Sequence, residues 1–193
     1  MKNVVYLTGA PATGKSSLCK YLAQTVPDLL VLSYSALLRD YINKRQGSKL
    51  DEDDIREQSA RAITAEDVAA VDQLLIEEVN SKRNSHKIII DSHPVTIEEY
   101  GFRITQFALE ELKLLNPDAL ICLYAAPDVI RQRIEKDPAG RPLPAEFALS
   151  THVQLQAAVC TQYALMLGRT CYMLDTDATR EQLAKNFLSA VNW

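Results

Sequence analysis

Residues 9–16 read Gly9-Ala10-Pro11-Ala12-Thr13-Gly14-Lys15-Ser16 and fit G-x-x-x-x-G-K-[ST]. Glycines at the two fixed positions let a backbone curl until successive N–H groups point at one anion. A helix that starts after the curl adds the positive end of its dipole. Lys15 supplies a point charge for β- and γ-phosphates, and the Ser16 hydroxyl is a hard oxygen ligand for Mg²⁺. Ala12, Thr13 and the following Ser17 complete the phosphate contact set. Four fixed positions make a chance match rare, roughly 1% in a chain of this length. The chemistry expected here is binding of a nucleoside triphosphate.

A second group lies far along the chain. Lys87–Asp91 (KIIID) is an apolar run that ends on a carboxylate. If it is a central strand, Asp91 stands at the carboxyl edge, where open α/β sheets bind ligands. Phosphoryl transfer needs a carboxylate near Mg²⁺, so Asp91 joins Ser16 as a metal candidate. His93 follows closely and is expected to line an acceptor pocket rather than act as a base. Arg39 falls one turn into a short helix that Ser33 or Ser35 can cap, and its fork of donors suits a phosphate on a second substrate. Arg131 and Arg133 stand two apart on a helix and cannot share a face. Arg141 lies in a Pro/Gly-rich stretch that could close over phosphates and exclude water.

These groups need a scaffold. Strand-like runs at Val4–Thr8, Leu29–Ser33, Lys87–Asp91, Ala119–Tyr124 and Thr170–Leu174 alternate with helical segments. Their apolarity is continuous rather than alternating, as in parallel strands covered on both faces. Leu18, Leu22 and Val26 recur at helical spacing, as do Val68, Val71, Leu75 and Val79. Phe107, Leu109, Leu112 and Leu115 precede Pro117, and Leu183, Phe187, Leu188 and Val191 close the chain. The pattern predicts a three-layer αβα domain with right-handed crossovers.

The bulk numbers agree. The chain has 193 residues, about one domain's worth, with 47% hydrophobic and 24% charged residues. The net charge of −4 argues against a broad nucleic-acid or anionic-membrane surface. No apolar run approaches the roughly 20 residues of a membrane helix. The short start MKNVVYLTG, interrupted by Gly9, does not read as a secretory signal. Cys19, Cys122, Cys160 and Cys171 are scattered, and His86, His93 and His152 lack zinc spacing; buried thiols in a reducing cytoplasm are expected.

The chain resembles the nucleoside monophosphate kinase group of P-loop proteins, most of all the archaeal-type adenylate kinases. The motifs that carry the resemblance are GAPATGKSS, IIIDSHPVTI followed by YGF, the helix end Leu115-Asn116-Pro117, and Ala126-Pro127-Asp128-Val129-Ile130-Arg131-Gln132-Arg133 leading to Asp137 and Arg141. The stretch SYSALLR is similar to an acceptor-side segment whose Arg grips the monophosphate, which points again to Arg39. The resemblance implies a P-loop NTPase fold with a five-stranded parallel sheet, ATP and Mg²⁺ as cofactors, and Arg133 and Arg141 as lid residues on ATP. It frames residues 1–193 as one kinase domain with an acceptor-side flap at about 40–62 and a lid loop at about 137–145.

Two positions depart from that pattern. Where the family has D-G-F-P-R this chain has Asp91-Ser92-His93-Pro94-Val95, and Asp51-Glu52-Asp53-Asp54-Ile55-Arg56 has Glu52 for an Arg. Both remove positive charge from the acceptor side; Arg103 is the nearest replacement in sequence. The resemblance makes AMP the first acceptor expected, and these two departures motivate another small acceptor as the alternative. A nucleotide-dependent switch is a third reading. For a GTPase, Asn43-Lys44-Arg45-Gln46 fails N-K-x-D, and Asp137-Pro138-Ala139-Gly140 follows a helix instead of a strand. Small-molecule nucleotides are the expected partners, and the oligomeric state stays open.

Overall fold

The computed structural model describes residues 3–47, 63–137 and 142–193. In chain order the elements are β1 (Val4–Gly9), α1 (Lys15–Thr25), β2 (Leu29–Ser33), α2 (Tyr34–Gln46), α3 (Ala65–Lys82), β3 (Lys87–Asp91), β4 (Val95–Glu98), β5 (Gly101–Ile104), α4 (Leu109–Leu115), β6 (Ala119–Tyr124), α5 (Pro127–Glu135), α6 (Glu146–Leu167), β7 (Cys171–Asp175) and α7 (Arg180–Val191). Five strands form one parallel sheet in the order β2-β3-β1-β6-β7.

The sheet is apolar on both faces because helices cover both. Val4, Tyr6, Ile88, Ile90 and Leu120 pack with Leu75 and Val79 of α3, Leu112 of α4, and Val159 and Tyr163 of α6. The alternate residues Val5, Leu7, Ile89, Ile121 and Leu123 meet Leu18 and Leu22 of α1 and Leu183, Phe187 and Val191 of α7. The period-two alternation of Cβ directions sends neighbouring residues to opposite layers, so each strand reads as one apolar run.

The strand expectations hold with small shifts: β1 extends to Gly9, and β7 spans Cys171–Asp175, one residue later than expected. Three features differ more. Residues 40–46, read as the start of a polar flap, continue α2, because Leu38 and Ile42 pack on Val71 and Gly47 ends the helix at φ 63°. The rest of that stretch, 48–62, lies outside the described residues. The antiparallel hairpin β4–β5 was not expected; its strands are four residues each and half-exposed, which leaves little periodicity. The 22-residue α6 was missed because it carries apolar residues around much of its circumference, from buried Leu149 and Val159 to exposed Phe147 and Leu165. All four cysteines are free thiols, and the fold brings Cys160 Sγ to 3.4 Å from Cys171 Sγ. Among the described residues no helix is long and apolar enough to cross a membrane.

A buried polar contact ties α2 to α3. The Tyr34 hydroxyl donates to Asp72 Oδ1 at 2.7 Å, at the first residue of α2. Asp72 is 3% exposed. Burial pushes its carboxyl up to about 6, the Tyr34 hydrogen bond pulls it down, and the Glu111 carboxyl adds to the rise. A carboxyl raised above its ordinary 3.8 contributes stability that is fully present below that value and lost as pH rises through about 6. Urea denaturation between pH 4 and 7 should therefore show Asp72→Asn with a flatter pH dependence than wild type, and parallel curves would contradict the assignment.

Candidate functional site

Sheet register gathers the site at one edge. Asp91 sits opposite Leu7 on one side and Ser33 on the other, so β2 and β3 end level while β1 runs on to Gly9 at the start of the loop. A cleft of about 690 Å³ opens there. Its walls include residues 10–17 of the loop, Ser33, Ser35 and Arg39 of the second strand-helix unit, Asp91 and His93 after β3, and Arg133 of α5. That volume lies within the roughly 300–1,000 Å³ of small-ligand pockets.

The loop is built by exclusion. A Cβ on Gly9 would lie 2.7 Å from the Leu123 carbonyl oxygen and 2.8 Å from Thr13 Oγ1, so no side chain fits. Gly14 holds φ 86° directly before α1. Ala12 holds φ 59°, a left-handed conformation that strains a residue with a Cβ by roughly 1–2 kcal/mol. Side chains brace the curl: Thr13 Oγ1 donates to Ala10 O at 2.7 Å, and Lys15 Nζ donates to Gly9 O at 3.0 Å. Lys15 therefore lies folded over the concavity that a phosphate chain would fill.

Arg133 provides an outer brace. Nη1 donates to Ala12 O at 3.3 Å and to Thr176 Oγ1 at 2.9 Å, while Nη2 donates to Thr176 O at 2.6 Å. One guanidinium thus joins the strained loop residue to the turn after β7. Arg131 points elsewhere and pairs with Glu146 at 2.8 Å. The two-residue separation on α5 decides this, and Arg133 is the one that lines the cleft.

On the other side, Ser33 caps α2 by accepting from Ala36 N, and Ser33 Oγ lies 3.1 Å from Ser35 Oγ. Arg39 donates through Nε and Nη2 to Asp40 Oδ1, both at 3.1 Å. Asp40 is 70% exposed, and an ion pair so open to water is worth about 1 kcal/mol or less. Arg103 does not replace the missing acceptor-side arginine: it pairs with Glu98 across the hairpin at 3.1 Å and is absent from the cleft wall. Ser16 and Asp91 both line the cleft with hard oxygen atoms of the kind Mg²⁺ takes beside phosphate oxygens and water. Arg141, Glu52 and Arg56 lie outside the described residues; Pro142 and Pro144 line the cleft.

Sequence reasoning missed His152 and Gln156. Both are buried, on the unforeseen α6, and both bond the Val95 carbonyl; Gln156 also accepts from the Thr8 hydroxyl at 3.0 Å. No motif marks them, because their neighbours come from β1 and β4.

A parallel sheet with this loop at its edge defines a P-loop protein of the kinase type. A family model described as an AAA domain (AAA_17) matches residues 8–146, and the chain belongs to that family. It is 24% identical to an adenylate kinase of Pyrobaculum aerophilum over 151 residues, covering 78% of this chain and 73% of the relative. It is 23% identical to an adenylate kinase of Methanopyrus kandleri over 195 residues, covering 99% and 98%. Among solved structures, a shikimate kinase from Bacteroides thetaiotaomicron superposes with TM-score 0.60 at 15% identity over 100% of both chains. A sugar kinase from Janibacter sp. superposes with TM-score 0.58 at 18% identity, over 100% of this chain and 95% of that one. These two share the fold. The chain is an ATP-dependent P-loop kinase.

The brace predicts a contrast. Arg133→Ala should weaken ATP binding about tenfold or more through loss of the loop's outer support, whereas Arg131→Ala should leave it unchanged; titration calorimetry with ATP distinguishes them. Equal effects would contradict the geometry.

Proposed function

We propose that this kinase transfers the γ-phosphoryl group of ATP to a nucleoside monophosphate, with AMP as the first acceptor. The observation that carries the reading is one cleft that holds both the phosphate loop with Lys15 and, on α2, the Arg39 guanidinium. The adenylate kinase relatives support the choice of acceptor.

In this reading the loop amides and Lys15 hold the β- and γ-phosphates. Arg39 grips the acceptor's phosphate and aims one of its oxygens at Pγ. That oxygen forms the new bond, the bond from Pγ to the bridging oxygen breaks, and ADP leaves. Positioning and charge neutralisation carry such a reaction, so no strong base is required. Ser16 and Asp91 would hold Mg²⁺, which neutralises phosphate charge when bound. Arg133 keeps Ala12 in its strained conformation, and Arg141 is assigned to the lid over the donor. We place the residues in one catalytic domain, acting on free nucleotides in the reducing cytoplasm that suits its thiols.

A second reading keeps the chemistry and changes the acceptor. Ser33, Ser35 and Thr96 put hydroxyls on the wall near Asp91, and Arg103 is tied to Glu98, which suits a small hydroxyl-bearing acceptor. An acceptor panel with labelled ATP separates the readings. AMP should be phosphorylated in preference to nucleosides and sugars. Hydrolysis that no acceptor accelerates would favour the switch. Lys15→Met should lower kcat/KM by about 10²-fold or more, as for loss of one preorganised charge. Wild-type turnover in that variant would remove the loop from the mechanism.

A further inference from the structure

His152 stands on the second turn of α6, is 2% exposed, and lines the same cleft as Lys15, Arg39 and Asp91. Its Nε2 lies 2.9 Å from the Val95 carbonyl oxygen. A carbonyl oxygen only accepts, so Nε2 carries the hydrogen. Burial lowers the ring's pKa below the usual histidine value, the Val95 bond opposes this, and the Lys15 ammonium adds to the lowering. The imidazole is therefore neutral near pH 7, with its lone pair on Nδ1. Among the described residues nothing hydrogen-bonds that nitrogen.

The Val95 carbonyl does not need the histidine. Gln156, one turn further along α6, also donates to it at 3.3 Å and holds Thr8 with its other end. The second donor's effect is to fix the tautomer and the ring's direction, with Phe102 packed edge-on at 5.6 Å between ring centres. A lone pair so oriented repels phosphate oxygens and attracts a hydrogen-bond donor.

We propose that His152 Nδ1 is a specificity-determining acceptor that takes a hydrogen bond from an O–H or N–H of the phosphoryl acceptor. The inference rests on the phosphoryl-transfer reading and adds to it the requirement that the second substrate present a neutral donor here. For a nucleoside monophosphate that donor is a ribose hydroxyl or a base N–H.

Two variants separate this role from packing. His152→Gln can keep an N–H on the Val95 carbonyl but leaves nothing at Nδ1. His152→Asn places an amide oxygen near Nδ1 and gives up the Val95 bond. The expected result is a rise of about tenfold in the acceptor's KM for His152→Gln, the size of one hydrogen bond, with kcat, the KM for ATP and Tm unchanged. His152→Asn should restore the acceptor's KM while lowering Tm. Wild type assayed with 2′-deoxy-AMP, 3′-deoxy-AMP and the purine riboside monophosphate lacking the 6-amino group should lose a similar factor with one analogue, and His152→Gln should lose nothing more with that one. A normal acceptor KM in His152→Gln overturns the proposal while the kinase reading stands. Equal impairment of both variants, or loss of folding in both, also overturns it by making the ring structural. If wild type phosphorylates no nucleoside monophosphate, the function proposed above fails first and this assignment falls with it.

Discussion

Everything in the cleft depends on a backbone curl that closes only because Gly9 has no side chain. The Leu123 carbonyl and Thr13 hydroxyl stand where a Cβ would go, so only a glycine lets the chain leave β1 beside β6 and enter the loop. Curled backbone N–H groups ahead of a helix N-terminus are a general site for phosphate anions. The braces around it are inexpensive in number and specific in direction: Thr13 from inside, Lys15 across the top, Arg133 from α5.

Arg133 shows how a guanidinium can serve a nucleotide site before any nucleotide arrives. Its fork binds Ala12 and both oxygens of Thr176, so the left-handed residue of the loop and the turn after β7 are fixed relative to each other. Preorganised dipoles in a partly closed site act more strongly than the same groups in water, because none need reorient when charge shifts. On the other wall, Arg39 pairs with the exposed Asp40, an interaction that water largely screens.

The α6 helix links the two walls. Gln156 ties Thr8, one residue before the loop, to the Val95 carbonyl at the start of the hairpin, and His152 meets the same carbonyl. A buried polar network of this kind is stabilising only when its members are satisfied, and it then specifies one arrangement of β1 against β4. The hairpin itself occupies the place after Asp91 where the resembling family carries an arginine. Here the nearest arginine is committed to Glu98, and the proposed reading gives acceptor recognition to Arg39, the wall hydroxyls and His152.

Much of this was legible in the chain. The loop motif, the five apolar runs and the carboxylate ending KIIID follow from local rules, because phosphate curls need glycine at fixed spacing and doubly covered strands need unbroken apolarity. Arg39 was reachable for the same reason: a capped helix starts right after a strand that ends at the sheet edge. Tertiary structure alone decided the rest. It chose Arg133 over Arg131, committed Arg103 to Glu98, brought Cys160 to Cys171, and set His152 and Gln156 on one carbonyl. Each of these is a meeting of residues from separate elements, fixed by register and packing, and no spacing within one segment encodes a partner on another.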